Sequence, residues 1–149
     1  MGSDRRHAIT EAVESDIGAP AALVWSVLTD IRTWPVWRPD VNSVRLSGKP
    51  GPGTQFRWTA CGTPIRSRIE EFEPTQSLVW SGRTFGLRAV HTWRISLTPT
   101  GVRVRTEERI SGPLVRFSPR IVQRILRASL ERALSALKLE AEWRVSFKY

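Results

Sequence analysis

Two side chains in this chain of 149 residues carry the chemistry of a proton-transfer site, His91 and Glu108. A carboxyl group beside an imidazole can share a proton with it. An imidazole near its ordinary pKa serves as general acid or base toward a phenol or a ketone. The same two groups can instead hydrogen-bond each other and only orient a ligand. Other chemistries find little support. No Ser-His-Asp order, Gly-rich phosphate loop, HExxH helix or paired-carboxylate motif occurs in the sequence. The second histidine, His7, belongs to a polar N-terminal stretch and to no site. The single cysteine, Cys61, excludes an internal disulfide and a multi-cysteine metal centre, and in a predicted strand it reads as a small buried or half-buried side chain. Neither a metal nor a cofactor is expected.

The elements that must position these groups are legible from periodicity. Ile9 to Ile17 reads as a strand, and Ala19-Pro20 then opens a short helix through Trp25 and Leu28. Pro35 and Pro39 confine the next helical turn to a few residues. From Val41 the pattern switches to period two, which predicts strands over 42–48, 53–61, 64–73, 77–84, 87–98 and 101–111. The Pro- and Gly-bearing connections between them are short enough for hairpins. A long amphipathic helix follows, from about Ser118 to Trp143, which at 1.5 Å per residue is a rod of about 39 Å. Its apolar stripe runs through Val122, Ile125, Leu126, Leu130, Leu134 and Leu137 and is small at Ser129 and Ala133.

Composition sets the outer bounds. The length suits one domain, with residues 1–8 as a flexible tail and 9–149 as the folded unit. No apolar run approaches a membrane span, and the polar start lacks the apolar core of a secretory signal, so the expected compartment is the cytoplasm. The net charge is +9, with eight arginines between Val102 and Arg132 against Glu107, Glu108 and Glu131. Such a face reads as a solvated arginine surface able to associate weakly with anionic surfaces. Nucleic acid is not expected as a partner, because exposed aromatics are not interleaved with the basic residues.

The order strand, two short helices, six strands and a long helix resembles the START-like superfamily of polyketide cyclases and lipid-transport proteins, also called Bet v 1-like or helix-grip. The resemblance rests on Ile17-Gly18-Ala19-Pro20 with Val24-Trp25-Ser26-Val27-Leu28-Thr29-Asp30, on Trp34-Pro35-Val36-Trp37 with Pro39-Asp40-Val41, and on Gly53-Thr54-Gln55-Phe56. Further along, Ile69-Glu70-Glu71-Phe72-Glu73-Pro74, Leu78-Val79-Trp80, His91-Thr92-Trp93 and Glu108-Arg109-Ile110-Ser111-Gly112 stand in family order. The match spans about residues 9 to 143. The fold it implies is α+β: a seven-stranded curved antiparallel sheet gripping a long C-terminal helix, with two short helices after the first strand.

In that fold one face of each strand lines the space beneath the helix. Val102, Val104, Thr106, Glu108 and Ile110 then point inward while Arg103, Arg105 and Arg109 point to water. His91 and Trp93 share the inner face of the preceding strand. The inward sets Phe56-Trp58-Ala60 and Leu78-Trp80-Gly82 supply apolar walls that either line a pocket or fill it. The expected ligand contacts are therefore Phe56, Trp58, Leu78, Trp80, Trp93, Thr106, Leu130 and Leu134, with Phe85 as a gate at a hairpin tip. The expected function is binding of a hydrophobic small molecule such as a lipid, polyketide or aromatic metabolite. The alternative is a polyketide cyclase or aromatase-like enzyme using His91 and Glu108 for proton transfer. The family's cyclases rely on several polar pocket residues. Here the only tyrosine is Tyr149, and Arg66 and Arg68 lie on the face opposite Ile65, Ser67 and Ile69.

Overall fold

Alternating apolar residues commit most of the chain to strands whose pairing is set by tight hairpins. A computed structural model describes residues 8–148. The elements are β1 (Ile9–Ile17), α1 (Ala21–Thr29), a 3-10 turn (Ile31–Thr33), α2 (Trp34–Trp37), β2 (Val41–Leu46), β3 (Gln55–Ala60), β4 (Thr63–Glu73), β5 (Ser77–Thr84), β6 (Leu87–Thr98), β7 (Gly101–Ser111), α3 (Pro113–Phe117) and α4 (Pro119–Lys148). Except for Ala8, the tail expected over residues 1–8, with His7, lies outside the described residues, as does Tyr149.

The seven strands form one antiparallel sheet in the order β1-β7-β6-β5-β4-β3-β2. After β1 the chain crosses through α1 and α2 to the far edge, then returns strand by strand until β7 pairs with β1. Register shifts between Val41 and Ser43 and between Ile69 and Glu71 add local bends. The curved inner face is covered by α4, which is clamped along β1. Lys138 Nζ donates to the Asp16 carbonyl at 2.7 Å, and the Gly18 amide donates to Glu142 Oε2 at 2.9 Å. Nearer the helix start, Gln123 and Arg127 hold the Glu11 carboxylate at 2.7 and 3.2 Å. The core between sheet and helices includes Ile17, Val24, Leu28, Ile69, Leu78, Val102, Val104 and Leu137, all essentially buried.

Several local expectations need correcting. Cys61 is exposed, because with Gly62 it forms the β3–β4 turn, with φ of +48° and +78°, and is not part of a strand. The Pro113-Leu114-Val115-Arg116-Phe117 segment is a separate short helix, and α4 runs for 30 residues, beyond the expected end at Trp143. Ile125, although in phase with the apolar stripe, is 62% exposed where α4 reaches past the sheet. Leu97, near the β6–β7 turn, is 80% exposed. Trp143 stays half outside and packs on Phe147, with ring centroids 4.6 Å apart.

Candidate ligand cavity

Hairpin register brings the two chemistry-bearing residues together. Thr98 pairs with Gly101 at the β6–β7 turn, and counting back along both strands sets Trp93 opposite Thr106 and His91 opposite Glu108. His91 Nε2 and Thr106 Oγ1 are 2.6 Å apart and hydrogen-bonded, while His91 Nδ1 lies 3.9 Å from Glu108 Oε2. The imidazole is wedged between indoles, 4.6 Å from Trp80 and stacked on Trp93 at 5.3 Å.

That setting moves both ionisable groups a long way. Burial, helped by the positive field of Arg38, pulls His91 down from 6.5 to about 3. Burial pushes Glu108 up from 4.5 to about 7, and Arg38 opposes that rise. At neutral pH the imidazole is therefore neutral, and the 3.9 Å pair is not a salt bridge between two full charges. The expectation that His91 sits near its ordinary pKa is corrected here. The group poised to exchange a proton near neutrality is Glu108, whose side chain keeps 18% of its exposure.

Above this pair is a cavity of about 290 Å³ between the sheet and α4. Trp58, Trp80, His91 and Glu108 line it from the sheet, and Leu126, Ser129 and Ala133 from the helix. The small helix residues leave the space that a pair of leucines would take. The other expected contacts lie elsewhere. Leu78 and Trp93 are buried beneath the cavity wall, Thr106 reaches the site only through its bond to His91, and Leu130 and Leu134 pack into the core. Phe56 belongs to the aromatic cluster behind Trp58, and Phe85 is 74% exposed at the β5–β6 tip, outside the cavity.

The aromatic cluster explains why the cavity is small. Trp34, held by its Nε1–H donating to the Leu28 carbonyl at 3.0 Å, enters the hollow from α2. It meets Phe56, Trp58 and Trp80 at centroid distances of 5.8, 5.4 and 5.2 Å. Trp58 is in turn fixed by its indole N–H donating to Ser67 Oγ at 3.0 Å. The hollow is partly filled and partly open, which resolves the alternative left by the sequence.

The polar residues that sequence reasoning missed are Arg38 and Asp40. Arg38 is 3% exposed yet lines the cavity with Asp40. Its guanidinium makes a two-pronged ion pair with the Asp40 carboxylate, at 2.9 and 3.4 Å, and lies over the rings of Trp34 and Trp58 at 4.9 and 5.5 Å. A signal did exist. Arg38 and Asp40 are charges two apart inside the otherwise apolar, proline-bounded segment Trp34 to Val41. No group of residues able to hold a metal ion occurs among the described residues.

A curved seven-stranded sheet gripping a long C-terminal helix defines the helix-grip fold. The chain belongs to the family described as polyketide cyclase / dehydrase and lipid transport, whose model matches residues 6–142. No curated protein matches the sequence. Solved structures that resemble it include a START superfamily protein from Mycobacterium smegmatis, with TM-score 0.75 and 16% identity over 91% of this chain and 97% of that one. Another is the Zhui aromatase/cyclase from a Streptomyces species, with TM-score 0.71 and 20% identity over 93% and 94% of the two chains. The di-domain aromatase/cyclase StfQ of the steffimycin biosynthetic pathway aligns at TM-score 0.81 and 16% identity, covering 95% of this chain and 53% of that one. This chain therefore spans about half of StfQ. At these identities the likeness establishes the fold and not the reaction. No described helix is long and apolar enough to cross a membrane.

Proposed function

We propose that the protein binds a compact, mainly apolar small molecule carrying one oxygen function, with Glu108 addressing that oxygen and Trp58 and Trp80 contacting the ring or chain. The observation that carries this reading is the joining of an apolar cavity to a single poised carboxyl group. Its volume of about 290 Å³ sits at the lower edge of the roughly 300–1,000 Å³ usual for ligand sites, which favours a mono- or bicyclic body over a two-chain lipid. A protonated Glu108 donates to a carbonyl, and an ionised one accepts from a hydroxyl, so either oxygen can be held near neutral pH. His91 fixes the wall through Thr106, and the Arg38–Asp40 pair supplies a local dipole without an unbalanced charge.

The test is titration with 2-naphthol, read by quenching of tryptophan fluorescence. Saturable binding is expected, weakened about tenfold in Glu108→Gln, the value of one hydrogen bond to an ionisable group. Ser129→Leu should abolish it by filling the cavity. Quenching that is linear, or indifferent to Ser129→Leu, rejects the reading.

A second reading, a cyclase or dehydratase, is favoured by one specific feature, the placement of the Glu108 pKa at about 7 where general acid–base work is efficient. It requires turnover of a polyketide surrogate to fall in Glu108→Gln by much more than affinity does. If affinity falls and turnover of every surrogate is unchanged, the carrier reading stands alone.

A further inference from the structure

We propose that the rim around the cavity mouth docks on an anionic lipid bilayer, so that an apolar ligand passes between membrane and cavity without crossing water. The mouth is framed by the β5–β6 tip and the start of α4, since Thr84, Leu87, Val122 and Ile125 line the outer part of the cavity. Around it stand Phe85, Leu114, Phe117, Ile121 and Ile125, each between 48% and 82% exposed. They come from three segments and form a single ridge. A Cβ at Gly112, which has φ of +129°, would land on the carbonyl oxygen of Gly86, so the hairpin tip is seated directly on the β7–α3 junction. Leu114 packs beside Gly86, Phe117 closes α3 at the bend at Ser118, and Ile121 and Ile125 follow one turn apart on α4. Large side chains left in water on projecting tips need an apolar partner.

Charge selects the kind of partner. From Arg109 to Leu130 the sequence holds five arginines and no acidic residue, and the β5–β6 tip adds Arg83 and Arg88. Two arginines of β7, far from the mouth, are held by carboxylates. Arg103 is bound to Asp16 at 2.8 Å, and Arg105 contacts Glu107 at 3.4 Å. Arg127 is likewise taken by Glu11 and Glu131. Arg116, Arg120 and Arg124, beside the apolar ridge, have no acidic partner among the described residues. Unpaired cations flanking protruding Phe, Leu and Ile side chains suit a negatively charged headgroup layer over hydrocarbon. An acidic protein would match the charge but offers no hydrocarbon depth for Phe85 and Phe117.

The experiment is co-sedimentation with vesicles of phosphatidylcholine alone and of phosphatidylcholine mixed with phosphatidylglycerol. Binding to the mixed vesicles is expected to be at least about tenfold tighter, and to weaken with added salt. Since a chain of net charge +9 adheres loosely to any anionic surface, the apolar ridge is the discriminating part. The double variant Phe85→Ser/Phe117→Ser should lose about tenfold or more, from the hydrocarbon burial of two rings. Arg116→Gln/Arg124→Gln should lose a similar factor, whereas Arg103→Gln/Arg105→Gln, which are paired and lie toward the β6–β7 turn, should change binding less than about twofold. The altered residues are exposed, and unchanged thermal midpoints would confirm intact folding. Equal binding by the phenylalanine variant, equal loss in the Arg103/Arg105 control, or capture by an acidic protein without vesicle binding each overturns the proposal. Vesicle binding without 2-naphthol binding supports docking and sinks the ligand reading; 2-naphthol binding without vesicle binding does the reverse.

Discussion

The inner face of the sheet has two halves with different physical designs. Toward the β6–β7 turn it is closed: Trp93, Ile95, Val102 and Val104 share one packed cluster with Leu134 and Leu137 of α4, with almost no exposure. Toward the β5–β6 turn the same strands present His91, Glu108 and Ile110 to the cavity, where the helix offers Ser129. One pair of strands and one helix serve both halves, so the difference is made by side chains alone. Shortening a few side chains at one end turns part of a core into a site. Trp34 marks the border, because it belongs to the closed packing and also walls off the open space.

Removing that border should give the largest effect. Trp34→Ala deletes a fully buried ring and its hydrogen bond and is expected to cost about 3–5 kcal/mol in urea unfolding. A loss under about 1.5 kcal/mol would mean that the halves are not mechanically distinct. Close behind comes Arg38→Met, which leaves the buried Asp40 carboxylate unpaired and should cost about 3 kcal/mol at neutral pH. An equal loss in Arg38→Lys, which keeps the charge but not the planar stack, would mean that the packing of Arg38 over Trp34 and Trp58 matters more than its charge.

The open half also has a pH signature. Glu108 rises from 4.5 to about 7 on folding, so the native state holds a proton that the unfolded chain has released, and stability falls as pH rises from 4.5 to about 7. His91 falls from 6.5 to about 3, so the unfolded chain binds the extra proton, and stability rises with pH over that interval. The two slopes, each up to about 1.4 kcal/mol per pH unit, oppose one another between pH 4.5 and 6.5 and nearly cancel. In Glu108→Gln the histidine slope is unmasked, and stability relative to the parent should climb by about 3 kcal/mol across pH 4.5 to 7. Parallel curves for the two proteins would show that Glu108 is solvated and not buried. Ser129→Leu should be milder in stability, within about 1.5 kcal/mol, because it fills existing space.

Much of this contrast was readable in advance. Period-two alternation in β6 and β7, with the short Pro99-Thr100 turn between them, is enough to bring His91, Trp93, Thr106 and Glu108 to one inner face, while the register that sets His91 opposite Glu108 is seen only in the structure. Small residues at Ser129 and Ala133 pointed to room beneath the helix. The strand pattern could not show how far Trp34 reaches into the hollow, since that depends on the path of the crossover through α1 and α2. The Arg38–Asp40 pair was hidden for the same reason: a charged residue in a short loop looks solvated until tertiary packing covers it. Ile125 stands further out than its phase suggests because periodicity gives a side chain's direction but not how much of it the sheet covers.

The smallest expected effect tests whether the closed half is dry. Trp93 is 1% exposed, and its indole N–H has no hydrogen-bond partner among the described residues, whereas the Trp34 N–H donates to the Leu28 carbonyl. Trp93→Phe removes an unsatisfied buried donor, which recovers part of a desolvation cost of about 1–3 kcal/mol and offsets the lost ring volume. Its net change should stay under about 1 kcal/mol. Trp34→Phe loses similar volume but also strands the Leu28 carbonyl, so it should cost about 2 kcal/mol more than Trp93→Phe. Equal losses in the two variants would mean that the Trp93 N–H is paired after all, through water reaching it from the cavity. The closed half would then be continuous with the open one, and the border between them would be a wet partition between two parts of the same site.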